Sequence, residues 1–159
     1  MDTGERAATR ALRVVRGAML AIVALGTTGM AVELVLIGHF ADASQLIPLV
    51  LGAVALGLIV WAAARPGVVG LRALQFVMLT YIGAGITGIT LHFKANAEFQ
   101  REIDPSIAGA ALFWKVVEAT APPALAPGVM VQLGLLGLVY TYKHPALGDD
   151  RFEQSSSGG

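Results

Sequence analysis

Side chains able to do chemistry are few in this 159-residue chain, and most of them interrupt or end apolar runs. The stretch AVELVLIGHF, residues 31–40, holds Glu33 within such a run and His39 just past it. A later run closes on TLHF, which sets His92 beside Phe93. An ionised carboxylate turned toward lipid costs on the order of 3 kcal/mol, so an acid at that depth is expected to face protein or water. Gly26, Gly29 and Glu33 follow an i, i+3, i+7 spacing and share one helical face. Two glycines let a neighbouring backbone come close, so Glu33 is expected to point into a helix contact. There it could exchange a proton, bind a cation, or simply lock one helix to the next by a hydrogen bond.

The two histidines raise a second possibility. Thr80, Ala84, Gly88 and His92 succeed one another at steps of four, forming a small-residue stripe that leads to His92. If that stripe packs on the first apolar run, His39 and His92 meet. Two imidazoles with Asp42, Glu98 or Glu102 nearby have the donors for a haem or a metal ion. Their spacing matches no ligand motif, and interfacial anchoring of both rings is the plainer expectation. No cofactor is therefore expected. Glu33, His39, Gln45, His92 and Gln132 all fall in one half of their runs, and together they form the candidate polar site. Gly26, Gly29, Thr80, Ala84 and Gly88 are the candidate packing positions.

The elements that must hold these residues follow from composition. The chain is 55% hydrophobic and only 14% charged, against about 25% charged in soluble domains. A formal net charge of zero, with no basic cluster, argues against nucleic acid as a partner. With no cysteine, disulfides and thiolate chemistry are excluded. A crossing helix needs about 20 apolar residues, and four stretches qualify: about 17–40, 46–64, 73–93 and 125–142. The second and fourth are apolar all round, unlike helices of a soluble bundle. The expected fold is an all-α membrane protein, a four-transmembrane-helix bundle with an outer-face amphipathic helical segment between helices 3 and 4.

Residues 94–124 form that outer segment. KANAEFQREI is expected to continue the third helix beyond the lipid, and Asp104–Pro105 to start another over 105–119. Its apolar face would be Ile107, Ala111, Trp114 and Val117. The basic tail 1–16 and the disordered tail 143–159 complete the chain. Arg6, Arg10, Arg13, Arg16, Arg65, Arg72, Lys143 and Arg151 lie to one side of the four runs, against Lys94, Arg101 and Lys115 on the other. The positive-inside rule then puts both termini in the cytoplasm, and the Ala-, Gly- and Arg-rich composition fits a bacterial inner membrane. ADA at 41–43 has the form of a signal cleavage site, but the apolar run before it exceeds the roughly 7–15 residues of a signal peptide, so it is expected to remain.

Nucleotide, zinc-protease and serine-hydrolase motifs are absent from the sequence, and the cytoplasmic parts are expected to be too short to fold a catalytic domain. A glutamate in the first span is similar to small multidrug transporters, which are shorter and lack the long third connection, so no family is assigned. The first expectation is a non-catalytic accessory, scaffold or self-associating subunit of a membrane assembly, with the lipid bilayer and copies of itself or other subunits as partners. A proton- or cation-coupled transporter using Glu33 is the alternative, and a haem or metal site at His39 and His92 the third.

Overall fold

Buried residues recur along each long helix at alternating steps of three and four, the spacing that keeps one stripe facing a neighbour. In helix α1 (Thr3–Leu36) they are Leu20, Val23, Thr27, Met30 and Leu34. In α2 (Ala43–Ala64) they are Gly52, Ala55, Ile59 and Ala62. In α3 (Val68–Ile103) they include Leu71, Leu74, Met78, Tyr81 and Gly85. The last long element, α5 (Leu125–Thr141), buries Met130, Gly134, Gly137 and Thr141 on the same rhythm. The computed structural model describes residues 3–119 and 125–148, and all regular structure among them is helical. The expectations for residues 1–2, 120–124 and 149–159 lie outside the described residues.

Helices α1, α2 and α3 are each long and apolar enough to cross a membrane, which makes this an integral membrane protein. Their charged borders agree on a thickness. Asp42 to Arg65 across α2 and Arg72 to Lys94 along α3 span about 35 and about 33 Å at 1.5 Å per residue, against about 30 Å of hydrocarbon. Helix α5 is apolar but shorter, 17 residues or about 25 Å. It lies antiparallel along α3, and α1 packs on both α2 and α5.

Helices α3 and α5 meet backbone to backbone at glycines. A Cβ at Gly85 would stand 2.6 Å from the Pro127 carbonyl oxygen and 2.7 Å from Val131 Cγ2. One at Gly134 would stand 2.7 Å from the Met78 carbonyl oxygen and 2.7 Å from Ile82 Cγ1. Only glycine lets the two backbones meet at this distance. Neighbouring helices have no hydrophobic drive to associate within lipid, so such van der Waals contact is what holds them.

Several boundaries differ from the sequence expectations. The basic tail is helical from Thr3, continuous with the first span, and the span's helix ends at Leu36 rather than 40. Residues 143–148 are ordered, with a short 3-10 turn at Pro145–Leu147. Helix α3 does run unbroken beyond Lys94 to Ile103. Asp104, however, closes α3 instead of opening the next helix. Its Oδ1 accepts from the Ser106 N–H at 3.0 Å and the Ser106 hydroxyl at 2.6 Å, so the chain turns there. The short helix α4 starts only at Gly109 and ends at Val117. It folds back on α3 through Leu112 and Val116, which pack with Phe93, Ala97 and Ile107. The expected face through Trp114 and Val117 is exposed instead.

Candidate functional site

The α1–α2 turn builds the one place where the candidate residues converge. Helix α1 stops because Gly38 adopts φ +70°, a left-handed conformation that costs glycine little. The His39 N–H then donates to the Leu34 carbonyl at 2.8 Å, and the Gly38 N–H to that of Val35 at 3.1 Å. This paired closure satisfies the orphan carbonyls of the last turn and fixes where the next residue projects. His39 thereby comes beside His92 of α3, with ring centroids 6.1 Å apart and planes tilted by 32°. The expected meeting of the imidazoles is present, but by another route. The stripe through Gly88 packs on Pro127 of α5, not on α1, while the Thr80 hydroxyl donates to its own helix at Phe76.

Other members of the expected cluster stand elsewhere. Gln45 Oε1 accepts from the backbone N–H of Ala41 at 2.9 Å and of Asp42 at 3.4 Å, so this side chain shapes the start of α2. Gln132 is exposed on α5. Asp42, Glu98 and Glu102 are exposed as well, and among the described residues no three of His, Cys, Asp or Glu gather to hold a metal ion.

Glu33 requires a correction. It is exposed on the outer surface of α1, not turned into a helix contact. Of its expected companions, Gly26 packs on Leu133 of α5, whereas nothing lies within 4 Å of a Cβ placed at Gly29. The physical reason is the three-four rhythm of α1. Leu20, Val23, Thr27, Met30 and Leu34 form its inward seam, and at 100° per residue Glu33 stands about 100° from Leu34 and far round from Thr27.

Thr27, which the sequence reading missed, and Tyr81, which it takes for an interface or packing aromatic, occupy the interior. Thr27 and Tyr81 are fully buried, and both flank Gly52, where a Cβ would lie 3.4 Å from Tyr81 Oη and 3.8 Å from Thr27 Cγ2. The two hydroxyls are neighbours across the α1–α2–α3 junction, yet neither completes a hydrogen bond among the described residues. The same spacing that places Thr27 on the inward seam could have found it.

At the opposite face, Arg16 donates to the carbonyls of Tyr142 at 3.3 Å and Lys143 at 2.8 Å, closing the end of α5. Nearby, the Gln75 amide donates to Thr141 Oγ1 at 3.1 Å and accepts from Arg72 at 3.0 Å. His144 packs on Tyr140 with ring centroids 5.5 Å apart. Partial burial, and next the positive Arg16, hold its imidazole below the ordinary histidine range.

No family model matches the chain, and neither the curated proteins nor the solved structures yield a match.

Proposed function

We propose that this chain is a non-catalytic, self-associating subunit of a membrane assembly, crossing a bacterial inner membrane four times with both termini in the cytoplasm. Helix α5 is the fourth crossing in this proposal, following α3 along its glycine seam, and the α3–α4 hairpin stands on the outer side. One observation carries the proposal. Counting from Arg16 at the inner border, Glu33 is about 25 Å up the helix, still within the hydrocarbon depth, and it is exposed. Helical side chains lean toward the N-terminus, here away from the nearer headgroups, so the carboxylate is poorly placed to reach them. Contact with a second copy over the open Gly29–Glu33 face removes it from lipid. The glycine supplies a flat approach and the acid a hydrogen-bonding anchor.

A proton-coupled transporter has less support, because Glu33 is on the outside of the helices and the buried side chains with polar groups among the described residues carry only hydroxyls, Thr27, Tyr81, Tyr140 and Thr141. The experiment is single-molecule photobleaching of labelled protein in lipid bilayers at several protein densities. Dimers or larger species are expected, with Gly29→Phe and Glu33→Leu each shifting the population toward monomers. A wild type that stays monomeric at every density would refute it.

The His39–His92 contact favours one second role, a divalent transition-metal site. A metal held at roughly 2.0–2.1 Å by one nitrogen of each ring suits rings at this separation after small side-chain rotations, with water filling the remaining positions. Titration with Zn²⁺ tests it: saturable binding lost in both His39→Ala and His92→Ala is expected, and binding that survives both changes would exclude this site.

A further inference from the structure

Where α4 folds back on the extension of α3, the two helices leave an open groove of about 480 Å³. Its floor is apolar, formed by Ile89, Phe93, Ala97 and Leu112, and its rim carries Lys94, Glu98 and Arg101. Depth gives this arrangement its meaning. Ile89 lies within the uncharged length of α3, whereas Lys94 is the first charged residue after Arg72. The groove therefore opens about 7 Å inside the hydrocarbon and rises beside the headgroup layer. Lys94 and Arg101 are seven residues apart and share a face, and the lean of helical side chains toward the N-terminus carries both downward, toward the membrane. Neither cation forms an ion pair among the described residues, and Glu98 between them leaves the rim one positive charge.

We infer that this groove binds one anionic phospholipid of the adjacent leaflet, an acyl chain along Ile89, Phe93, Ala97 and Leu112 and the phosphate between Lys94 and Arg101. An acyl chain is already at the depth where the floor begins, so it enters sideways with its headgroup in water. A guanidinium offers paired donors to phosphate oxygens and the ammonium a point charge, while Glu98 opposes net negative charge. The inference depends on membrane insertion and the α3–α4 hairpin, and not on self-association.

The test is native mass spectrometry of the delipidated full-length protein given phosphatidylglycerol and phosphatidylcholine in equal amounts. A clear preference for phosphatidylglycerol is expected in the wild type. Each of Lys94→Gln and Arg101→Gln is expected to weaken phosphatidylglycerol binding about fivefold, and Glu98→Gln to strengthen it. Ile89→Trp, which fills the floor, is expected to weaken both lipids while circular dichroism reports an intact helix content. Soluble glycerol phosphate at millimolar concentration is expected to leave the lipid bound. Equal retention of the two lipids by the wild type, weaker phosphatidylglycerol binding in Glu98→Gln, or displacement by glycerol phosphate would each overturn the inference.

Discussion

The α3–α5 glycine seam makes a quantitative demand on single methyl groups. Alanine at position 85 would set its Cβ 2.6 Å from the Pro127 carbonyl oxygen, where ordinary contact begins at 3.4 Å. The obstacle is backbone, so the helices must separate locally by about 0.8 Å. A gap of that size forfeits a quarter to a half of each dispersion contact it opens, and overpacking of this kind costs about 1–3 kcal/mol. Alanine also returns about 1 kcal/mol in helix propensity. Gly57→Ala isolates that return, since nothing lies within 4 Å of its Cβ. Gly137→Ala is a graded intermediate, because its obstruction is the flexible thioether of Met78, which can repack. Equilibrium unfolding by sodium dodecyl sulfate in mixed micelles, read by circular dichroism, should rank Gly57→Ala most stable, then Gly137→Ala, then Gly85→Ala and Gly134→Ala. The last two should fall about 1–3 kcal/mol below the Gly57 control. If Gly85→Ala and Gly134→Ala matched that control, close backbone packing would not be what joins α5 to α3.

Further predictions concern the polar contacts. Arg16→Gln should cost about 0.5–1 kcal/mol, the scale of an exposed cation on a helix C-terminus, and should speed proteolysis after Tyr142 in detergent. His144 has a folded-state value below its unfolded one, so the unfolded chain binds more protons as pH falls below about 6.5. The stability it contributes is therefore present above that pH and lost as pH drops toward the folded value. Melting temperatures measured from pH 7.5 to 5 should decline in the wild type and flatten in His144→Gln, and identical slopes would contradict this. Tyr81→Phe removes a buried hydroxyl without a completed hydrogen bond and should leave stability unchanged or raise it, since such a group costs about 1–3 kcal/mol. A loss of more than about 1 kcal/mol on unfolding would show that Tyr81 and Thr27 are in fact bonded to each other.

Solvent and length were legible directly. Uncharged runs between Asp42 and Arg65 and between Arg72 and Lys94 mark the membrane because charge is costly in hydrocarbon, whatever the helices pack against. The continuation of α3 beyond Lys94 was equally local, a matter of helix-forming residues without a breaker until Asp104. The meeting of His39 and His92 was foreseen as a possibility, on the condition that the Gly88 stripe packs on the first run, whereas Gly88 lies against Pro127 of α5. Small residues show where a backbone can come close but not which backbone comes. That choice fell to α5, where Pro127 and Val131 meet Gly85 and Gly88, and where Gly134 and Gly137 admit Met78 and Ile82 of α3.

Glu33 shows the same division. Composition fixes that a carboxylate interrupts an apolar run, whereas the direction it faces depends on which seam of α1 is inward, and a Gly–Gly–Glu face and a Leu–Val–Thr–Met–Leu face compete for that role. Burial of the larger side chains against α2 and α5 decided it. The sequence alone thus determined the helical class and the apolar lengths able to cross a membrane, because these depend on transfer energies of single side chains. Facing and partnership were decided only by tertiary packing, because they depend on how several surfaces fit at once.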